Sequence, residues 1–270
     1  MASPTPKKPL RIAIMLEAVQ MSDILGIDIF ANLSTKYMEI ALQLSPKVAP
    51  LAAHAIPIEF LYLASTLEPS DFVVPGNNFQ FVPTHTYDTC PRDLDILLIG
   101  GPLLTHRPPA ADKFMKEAWL KTPVVMTTCT GSLWLASTGL LEGKKCTTNR
   151  EFLGAARSIF PGIEWVDQAW VVEEKPLEGR NVKGELWTAG AAGCGLQMIA
   201  HYCLEKFDNE FVKFMGLEGL NLHNTTAKDQ FYPAALEDAK QPDTQRAEAK
   251  DVSSSPSFVS RFLGGVFSWK

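Results

Sequence analysis

The sequence predicts an α/β fold in which a doubly wound, mostly parallel sheet carries helices on both faces. Continuous apolar runs such as LRIAIML, DILLIGG and PVVMTT are typical of strands that are buried on both faces. Segments with helical spacing of apolar residues alternate with these runs along the chain. This alternation indicates βαβ units, which build parallel sheets.

Each run can be assigned to an element in chain order. Apolar or alternating stretches predict strands at 10–16, 58–64, 79–87, 95–101, 123–128, 163–166, 169–174 and 184–190. The stretch 79–87 is expected at a sheet edge, because it contains Pro83 and edge strands tolerate proline. Helical spacing predicts helices at 22–34, 110–120, 151–160, 195–207 and 209–220, and one that begins near Thr130.

The composition is that of a soluble globular protein and excludes several functional classes. The 270 residues are 46% hydrophobic and 20% charged, with a net charge of −5. The chain contains no basic block, so nucleic-acid binding is not expected. No apolar run approaches the ~18 residues of a membrane span. The N-terminus lacks the apolar core of a signal peptide, so we expect a cytoplasmic protein. Five scattered cysteines without a CxxC pair predict neither a disulfide framework nor a metal site, and no motif predicts a cofactor.

The chain is expected to contain one folded domain and an extension. Residues 1–9 are predicted to be a flexible N-terminus, and residues 10–233 to form the α/β domain. Residues 234–256 are rich in polar residues and predict a flexible linker. The final segment, 257–270, is apolar, with Phe258, Phe262 and Val266 at every fourth position. This stripe favours docking on the parent domain or on a partner subunit.

Cys129 is the first candidate for chemistry, because it stands where a buried strand gives way to a helix. Ligands of doubly wound folds bind beyond the carboxyl ends of the strands. Amide groups of a helix that begins near Thr130 would lower the pKa of the thiol and favour the reactive thiolate. Thr130 and Gly131 leave little bulk around the sulfur, as in a nucleophile elbow. The alternative is an inert buried cysteine.

A nucleophilic thiol needs a partner that handles protons, and two carboxylates are better placed than the histidines. Glu17 directly follows the first strand, and Asp23 begins the next helix. The alternatives are that Glu17 is a solvated turn residue and that Asp23 is a helix cap. All five histidines are predicted in loops, in a helix or after the last core helix, and none is predicted at a strand's carboxyl end.

Two glycine-rich turns complete the predicted pocket. Gly100 and Gly101 end a buried strand, where a backbone amide can approach a reacting atom as an oxyanion donor. The stretch TAGAAGCG, which includes Gly190, does not match a dinucleotide-binding fingerprint. We expect it to form a close-packed loop that walls the pocket.

These residues resemble the ThiJ/PfpI superfamily, the class I glutamine amidotransferase-like group with a flavodoxin-like fold. The resemblance spans about 10–224 and includes fungal members. CTGSLWLASTGLLEGKKCTTN and VQMSDILGIDIF are most similar to the isonitrile hydratase branch. The resemblance implies a homodimer without a cofactor, with Cys129 as nucleophile and Asp23 as catalytic acid. It places Thr130 beside the nucleophile and Gly101 on the oxyanion side.

The sequence departs from the family pattern at three positions. Asn149 stands where many members have histidine after the T-T pair, and Thr130 where members with protease-type chemistry have histidine. Gln197 stands where the hydratase branch usually has aspartate. The first two departures argue against a peptidase and for a Cys–Asp pair.

The expected function is a hydratase or lyase that adds water to a small electrophilic substrate, of the isonitrile to N-formyl amide type. One alternative is a glyoxalase-like or biosynthetic hydratase or dehydratase that acts on an aldehyde or an unsaturated carbonyl. The other alternative is a redox-sensing protein that uses Cys129 without catalysis.

Overall fold

Seven strands form the central sheet of the computed structural model, which describes residues 8–72, 79–179, 182–222 and 225–232. The strands are β1 (Leu10–Met15), β2 (Ile58–Ala64), β3 (His85–Thr86), β4 (Ile96–Ile99), β5 (Val124–Thr128), β6 (Trp170–Lys175) and β7 (Gly184–Ala189). Their spatial order is β6-β7-β5-β4-β1-β2-β3. Only the β6–β7 pair of this sheet is antiparallel. The sheet is therefore mostly parallel, as predicted.

Helices connect and cover these strands. The α-helices are α1 (Ile27–Asn32), α2 (Thr35–Leu44), α3 (Pro109–Trp119), α4 (Gly131–Ser137), α5 (Leu153–Ile159), α6 (Ala192–Lys206) and α7 (Asn209–Phe211). A π-helix follows α7 at Val212–Leu217, and 3-10 helices lie at Met21–Ile24, Pro46–His54, Arg150–Phe152, Glu218–Leu220 and Ala227–Gln230. Two short strand pairs lie outside the central sheet: Ser70–Asp71 with Gln80–Phe81, and Lys145–Cys146 with Glu164–Trp165.

The core has one layer on each face of the sheet. Ile12 and Ile14 of β1 belong to the apolar cluster that includes residues of α1 and α6. Ala13 and Met15, which point to the opposite face, belong to the cluster that includes residues of α3 and α4. Burial of both faces explains why the central strands are unbroken apolar runs. The fold is the doubly wound α/β architecture that the sequence predicts.

Three predicted elements differ from those observed. The helix expected over 22–34 is divided into the 3-10 helix Met21–Ile24 and α1, and a side chain at the intervening Gly26 would collide with Ile199 of α6. Only His85–Thr86 of the stretch 79–87 joins the edge of the main sheet, beyond Pro83. The closing helix expected over 209–220 changes from α to π to 3-10 geometry.

Some sequence expectations lie outside the described residues. These are the linker at 234–256, the apolar segment at 257–270 and most of the N-terminal segment 1–9. Within the described ranges, every helix is too short or too polar to cross a membrane.

Candidate active site

The candidate site lies at the carboxyl end of the three neighbouring strands β1, β4 and β5. Asp23 follows β1, Gly100 and Gly101 follow β4, and Cys129 follows β5. Because β4 lies between β1 and β5, the three connections meet at one edge of the sheet. This is the position at which doubly wound folds bind ligands.

Cys129 adopts the sharp turn predicted for a nucleophile elbow. Its φ angle is +54°, in the left-handed region that side-chain-bearing residues rarely occupy. Its backbone N–H donates to the carbonyl of Ala189 at 2.9 Å, and its carbonyl accepts from the hydroxyls of Ser132 and Thr148 at 3.2 and 3.1 Å. A side chain at Gly131 would collide with the carbonyl oxygens of Ile99 and Gly100. These contacts hold the turn against β4 and β7.

Asp23, Thr130 and Cys129 converge on Gly101. A Cβ atom built on Gly101 would lie 2.6 Å from Asp23 Oδ2, 2.8 Å from Thr130 Oγ1 and 3.0 Å from Cys129 Cβ. Thr130 directs its hydroxyl to the carbonyl of Pro102 at 3.1 Å. The structure therefore brings together the three side chains to which the sequence assigns catalysis, around a glycine with no room for a side chain.

Asp23 is not a helix cap, because its carboxylate serves another segment of the chain. The residue lies inside the 3-10 helix Met21–Ile24, and its Oδ2 accepts the N–H of Gly101 at 3.1 Å. The other oxygen, Oδ1, is buried and receives no hydrogen bond from the described residues. Burial raises the pKa of Asp23 to about 6, against the opposing effect of the Gly101 hydrogen bond. A carboxyl with this pKa can exchange a proton near neutrality.

One expectation about the surroundings of this carboxyl needs correction. The N–H of Gly101, expected as an oxyanion donor, is already bonded to Asp23 and orients that carboxylate. Beside Asp23, Ile24 is buried, whereas Met21 and Leu25 are exposed.

The pKa of the Cys129 thiol is raised, not lowered as the elbow predicts. Burial is the largest cause, and the charge of Asp23 adds to it. Hydrogen bonds from Asn149 and Thr130 act in the opposite direction. The amide Nδ2 of Asn149 lies 3.3 Å from Cys129 Sγ. The resting site thus holds a neutral thiol beside a carboxyl group.

Asn149 was not among the residues that the sequence assigns to the site. The signal was present, because Asn149 follows the T-T pair at the position where the resemblance implies histidine in many members. A strand-and-helix pattern alone could not place it, since it reaches the sulfur from a separate segment after α4.

Glu17 lies in a different group from Asp23. Its Oε2 accepts from the N–H and the hydroxyl of Ser65 at 3.0 and 2.7 Å, and it lies 3.4 Å from Nε2 of His106. Burial raises the pKa of Glu17, but the bonds to His106 and Ser65 outweigh burial and lower it. Glu17 is therefore a partly buried anchor between loops, and it is not one of the side chains gathered around Gly101.

The remaining glycines of the predicted pocket have packing roles. Gly100 lies against Val19 and Ile24. A Cβ on Gly190 would lie 2.6 Å from the hydroxyl of Tyr232 and 3.2 Å from the carbonyl of Thr148. Gly190 therefore packs closely against Tyr232 and the backbone of Thr148.

The histidines of the described residues make their contacts elsewhere. His106 packs beside Trp134 and Glu17, and His201 lies near Glu205 on α6. His54 faces Asp208, and His85 contacts Thr84. His223 lies outside the described residues. Within the described ranges, no group of three or more His, Cys, Asp or Glu side chains could hold a metal ion.

Comparison with known proteins agrees with this architecture. Residues 58–189 match the DJ-1/PfpI family. An isonitrile hydratase from Pseudomonas putida is 25% identical over 185 residues, which cover 66% of this chain and 70% of that protein.

Solved structures share the fold at lower identity. A ThiJ/PfpI family protein from Pseudomonas syringae has a TM-score of 0.58 and 19% identity, covering 93% of this chain and 92% of its own. An AraC family transcriptional regulator from Pseudomonas putida has a TM-score of 0.55 and 14% identity, covering 79% of this chain and 100% of its own. This chain therefore matches the DJ-1/PfpI family over residues 58–189 and shares its fold with these solved structures.

Proposed function

We propose that this chain is a cysteine-nucleophile hydratase that adds water to a small electrophilic carbon, of the isonitrile to N-formyl amide type. The observation that carries the proposal is the convergence of a buried carboxyl, Asp23, with Cys129 around Gly101. A thiol supplies the nucleophile and the carboxyl supplies the proton that hydration chemistry needs. The distant similarity to an isonitrile hydratase supports this choice of substrate class.

The reaction begins with transfer of one proton within the pair. The thiol of Cys129 gives its proton to the Asp23 carboxylate, and the resulting thiolate adds to the terminal carbon of R–NC. The same carbon takes the proton from Asp23, which gives a thioimidate, R–N=CH–S–Cys. Asp23 is ionised again after this step and can act as a base.

Hydrolysis of the thioimidate returns the enzyme to its starting state. The Asp23 carboxylate takes a proton from water as the water oxygen attacks the thioimidate carbon, and it passes that proton to the substrate nitrogen. The carbon–sulfur bond then breaks as the hydroxyl of the intermediate loses its proton, which Asp23 carries to the sulfur, and R–NH–CHO is released. Cys129 recovers one proton and Asp23 its charge, so the sum is R–NC plus water giving R–NH–CHO.

The pKa of Asp23 fits both halves of this cycle. A general acid and base works best when its pKa lies near the operating pH, and burial raises that of Asp23 to about 6. The small exposure of the two groups, 2% for Asp23 and 9% for Cys129, favours a small substrate.

The alternatives receive less support from the same contacts. Thiol addition to an aldehyde or enone develops negative charge on oxygen, which backbone N–H groups commonly stabilise. Here the N–H of Gly101 is already bonded to Asp23. A redox sensor uses an accessible thiol of low pKa, whereas Cys129 is buried and its pKa is raised.

A substrate panel with wild type and Cys129→Ala tests the proposal. We expect small isonitriles to yield N-formyl amides, measured by mass spectrometry, and Cys129→Ala to abolish the product. Turnover of methylglyoxal or an enone, with isonitriles untouched, would move the assignment to the carbonyl alternative. Full activity in Cys129→Ala would refute the nucleophile.

We also propose that the chain forms a homodimer. The resemblance to the ThiJ/PfpI superfamily implies the dimer, and Met21 and Leu25 beside Asp23, which are 43% and 40% exposed, are apolar side chains that a partner subunit would cover. Leu25→Glu should dissociate the dimer in sedimentation velocity. The control is Leu120→Glu, at a residue that is 42% exposed after α3. A wild type that sediments as a monomer would contradict the proposal.

A further inference from the structure

Asn149 contacts the sulfur through an amide whose orientation is fixed. It is the N-cap residue of the 3-10 helix Arg150–Phe152, and its Oδ1 accepts the N–H of Glu151 at 3.1 Å. Its Nδ2 then lies 3.3 Å from Cys129 Sγ. If the amide were turned over, the cap would lose its acceptor and an oxygen would face the sulfur. The helix cap therefore selects the orientation in which an N–H points at Cys129.

We propose that Asn149 is a catalytic residue that donates a hydrogen bond to the sulfur of Cys129 and stabilises the thiolate, with its amide held in place by the helix cap. The role of this hydrogen bond during turnover rests on the proposed hydratase function. A donor to sulfur stabilises the thiolate before addition and again when the carbon–sulfur bond breaks. Because an amide side chain does not titrate, this donor is present at every pH at which the chain is folded.

The charged groups around Asn149 make contacts of their own, so Asp23 is the group that we assign to proton transfer. Arg150, next in the chain, forms an ion pair with Asp167 at 2.7 Å and lies over the ring of Tyr232 at 4.3 Å. The thiol of Cys194, on α6, contacts the hydroxyl of Tyr232 at 3.8 Å. Asp23 reaches the site from a different segment, the 3-10 helix that follows β1. Asn149 therefore stabilises the negative charge on the sulfur, and Asp23 transfers the proton.

Two substitutions separate the donor role from the capping role. Serine is a good N-cap but is too short to reach the sulfur as the asparagine amide does, so Asn149→Ser keeps the cap and loses the donor. Asn149→Ala loses both. The readout is the rate of Cys129 alkylation by iodoacetamide against pH, followed by peptide mass mapping, with Cys194 in the same sample as the reference thiol.

Loss of the donor should slow alkylation of Cys129. We expect about a 10- to 100-fold decrease near pH 7.5 in both variants, and a shift of the profile towards higher pH by about one to two units, as for a lost hydrogen bond to a charged group. The rate at Cys194 should stay within about twofold. Asn149→Ser should melt close to wild type, whereas Asn149→Ala should melt lower because it also loses the cap.

A purely structural role gives a different pattern. If Asn149→Ser alkylates Cys129 at the wild-type rate and pH, the proposal is wrong. Asn149→His provides a second test, since an imidazole restores a donor that titrates, and it should add an inflection near pH 6.5 that wild type lacks. If that inflection is missing and the rate equals that of Asn149→Ala, the donor role is also refuted. The assay needs no substrate, so a failure of isonitrile turnover would leave this test intact.

Discussion

Asp23 and Cys129 meet at Gly101, although they belong to turns that follow different strands. A Cβ on that glycine would be 2.6 Å from the carboxylate of Asp23 and 3.0 Å from Cβ of Cys129. The two groups influence each other, because the charge of Asp23 raises the pKa of the thiol. A change at Asp23 should therefore affect the reactivity of Cys129 even in the absence of substrate.

Asp23→Asn should have opposite effects on catalysis and on the thiol. Turnover should fall by at least ~100-fold, because asparagine keeps the shape but cannot carry a proton. Alkylation of Cys129 at pH 7.5 should become several-fold faster, because removal of the negative charge lowers the pKa of the thiol. Glu17→Gln is the control and should cost less than ~10-fold in turnover, since Glu17 bonds to Ser65. An inactive Glu17→Gln beside a nearly normal Asp23→Asn, both folded by circular dichroism, would reverse the assignment.

The pH dependence of turnover should report the Asp23–Cys129 pair. Addition needs the state in which the two groups share one proton. Below about pH 6 the pair takes up a second proton, so that Asp23 is protonated and can no longer accept the proton of the thiol. We expect kcat/KM to rise with pH through an acid limb centred near pH 6. An acid limb that stays at the same pH in Asp23→Asn, measured on residual activity, would assign it to another group.

Asp23 should also lower stability at neutral pH. Its pKa is raised from 3.8 in the unfolded reference to about 6, so folding favours the protonated form. The stabilising contribution is complete below pH 3.8 and is lost as pH rises through about 6. Asp23→Asn, which cannot ionise, should increase the free energy of unfolding by up to about 3 kcal/mol at pH 7.5 and by little near pH 4. Urea unfolding at both pH values measures this difference, and an equal effect at the two would contradict it.

Gly101→Ala should disturb the site directly. A methyl group there would lie 2.6 Å from Asp23 Oδ2 and 2.8 Å from Thr130 Oγ1, so at least one of them must move. We expect a loss of ~10- to 100-fold in turnover and a destabilisation of about 1–3 kcal/mol, as for overpacking. Gly193→Ala on α6, where a Cβ meets nothing within 4 Å, is the matched control and should retain activity. Equal losses in the two variants would show that the position of Gly101 is not special.

Mapping of all five cysteines should separate the site from the core. Burial raises the pKa of Cys90 and Cys146 to about 12 and raises that of Cys203 well above its usual range. These three should stay unmodified by iodoacetamide in the folded chain. Cys129 should react faster than any of them, and mild peroxide should oxidise it before them. Fastest labelling at Cys146 or Cys203 would contradict the nucleophile assignment.

The elbow could be predicted because its signals are local. Strands β2 and β5 lie at or within one residue of the predicted bounds, and Cys129 follows β5 as expected. A buried apolar run followed by small residues and helical spacing encodes this geometry within a few positions. The pairing of Asp23 with Gly101 depends on strand order, which periodicity alone does not give.

Features formed by long-range contacts could not be predicted in the same way. The pKa of Cys129 depends on burial by several segments and on the charge of Asp23, so the local elbow pattern gave the wrong direction. The contacts of Glu17 with Ser65 and His106 join segments that are remote in sequence, so no local pattern predicts them. The division of the helix at 22–34 depends on Ile199, which is remote in sequence.

At position 129 the left-handed backbone favours glycine for stability, whereas the chemistry requires cysteine. Glycine adopts a φ of +54° without the steric cost that a side chain meets there, which is of order 1 kcal/mol. The most stable residue for this turn is therefore one that carries no thiol. Random mutation screened only for folding would drift towards glycine here, and selection for chemistry would oppose that drift. Retention of cysteine at this angle would thus report on activity even in a homologue whose substrate is unknown.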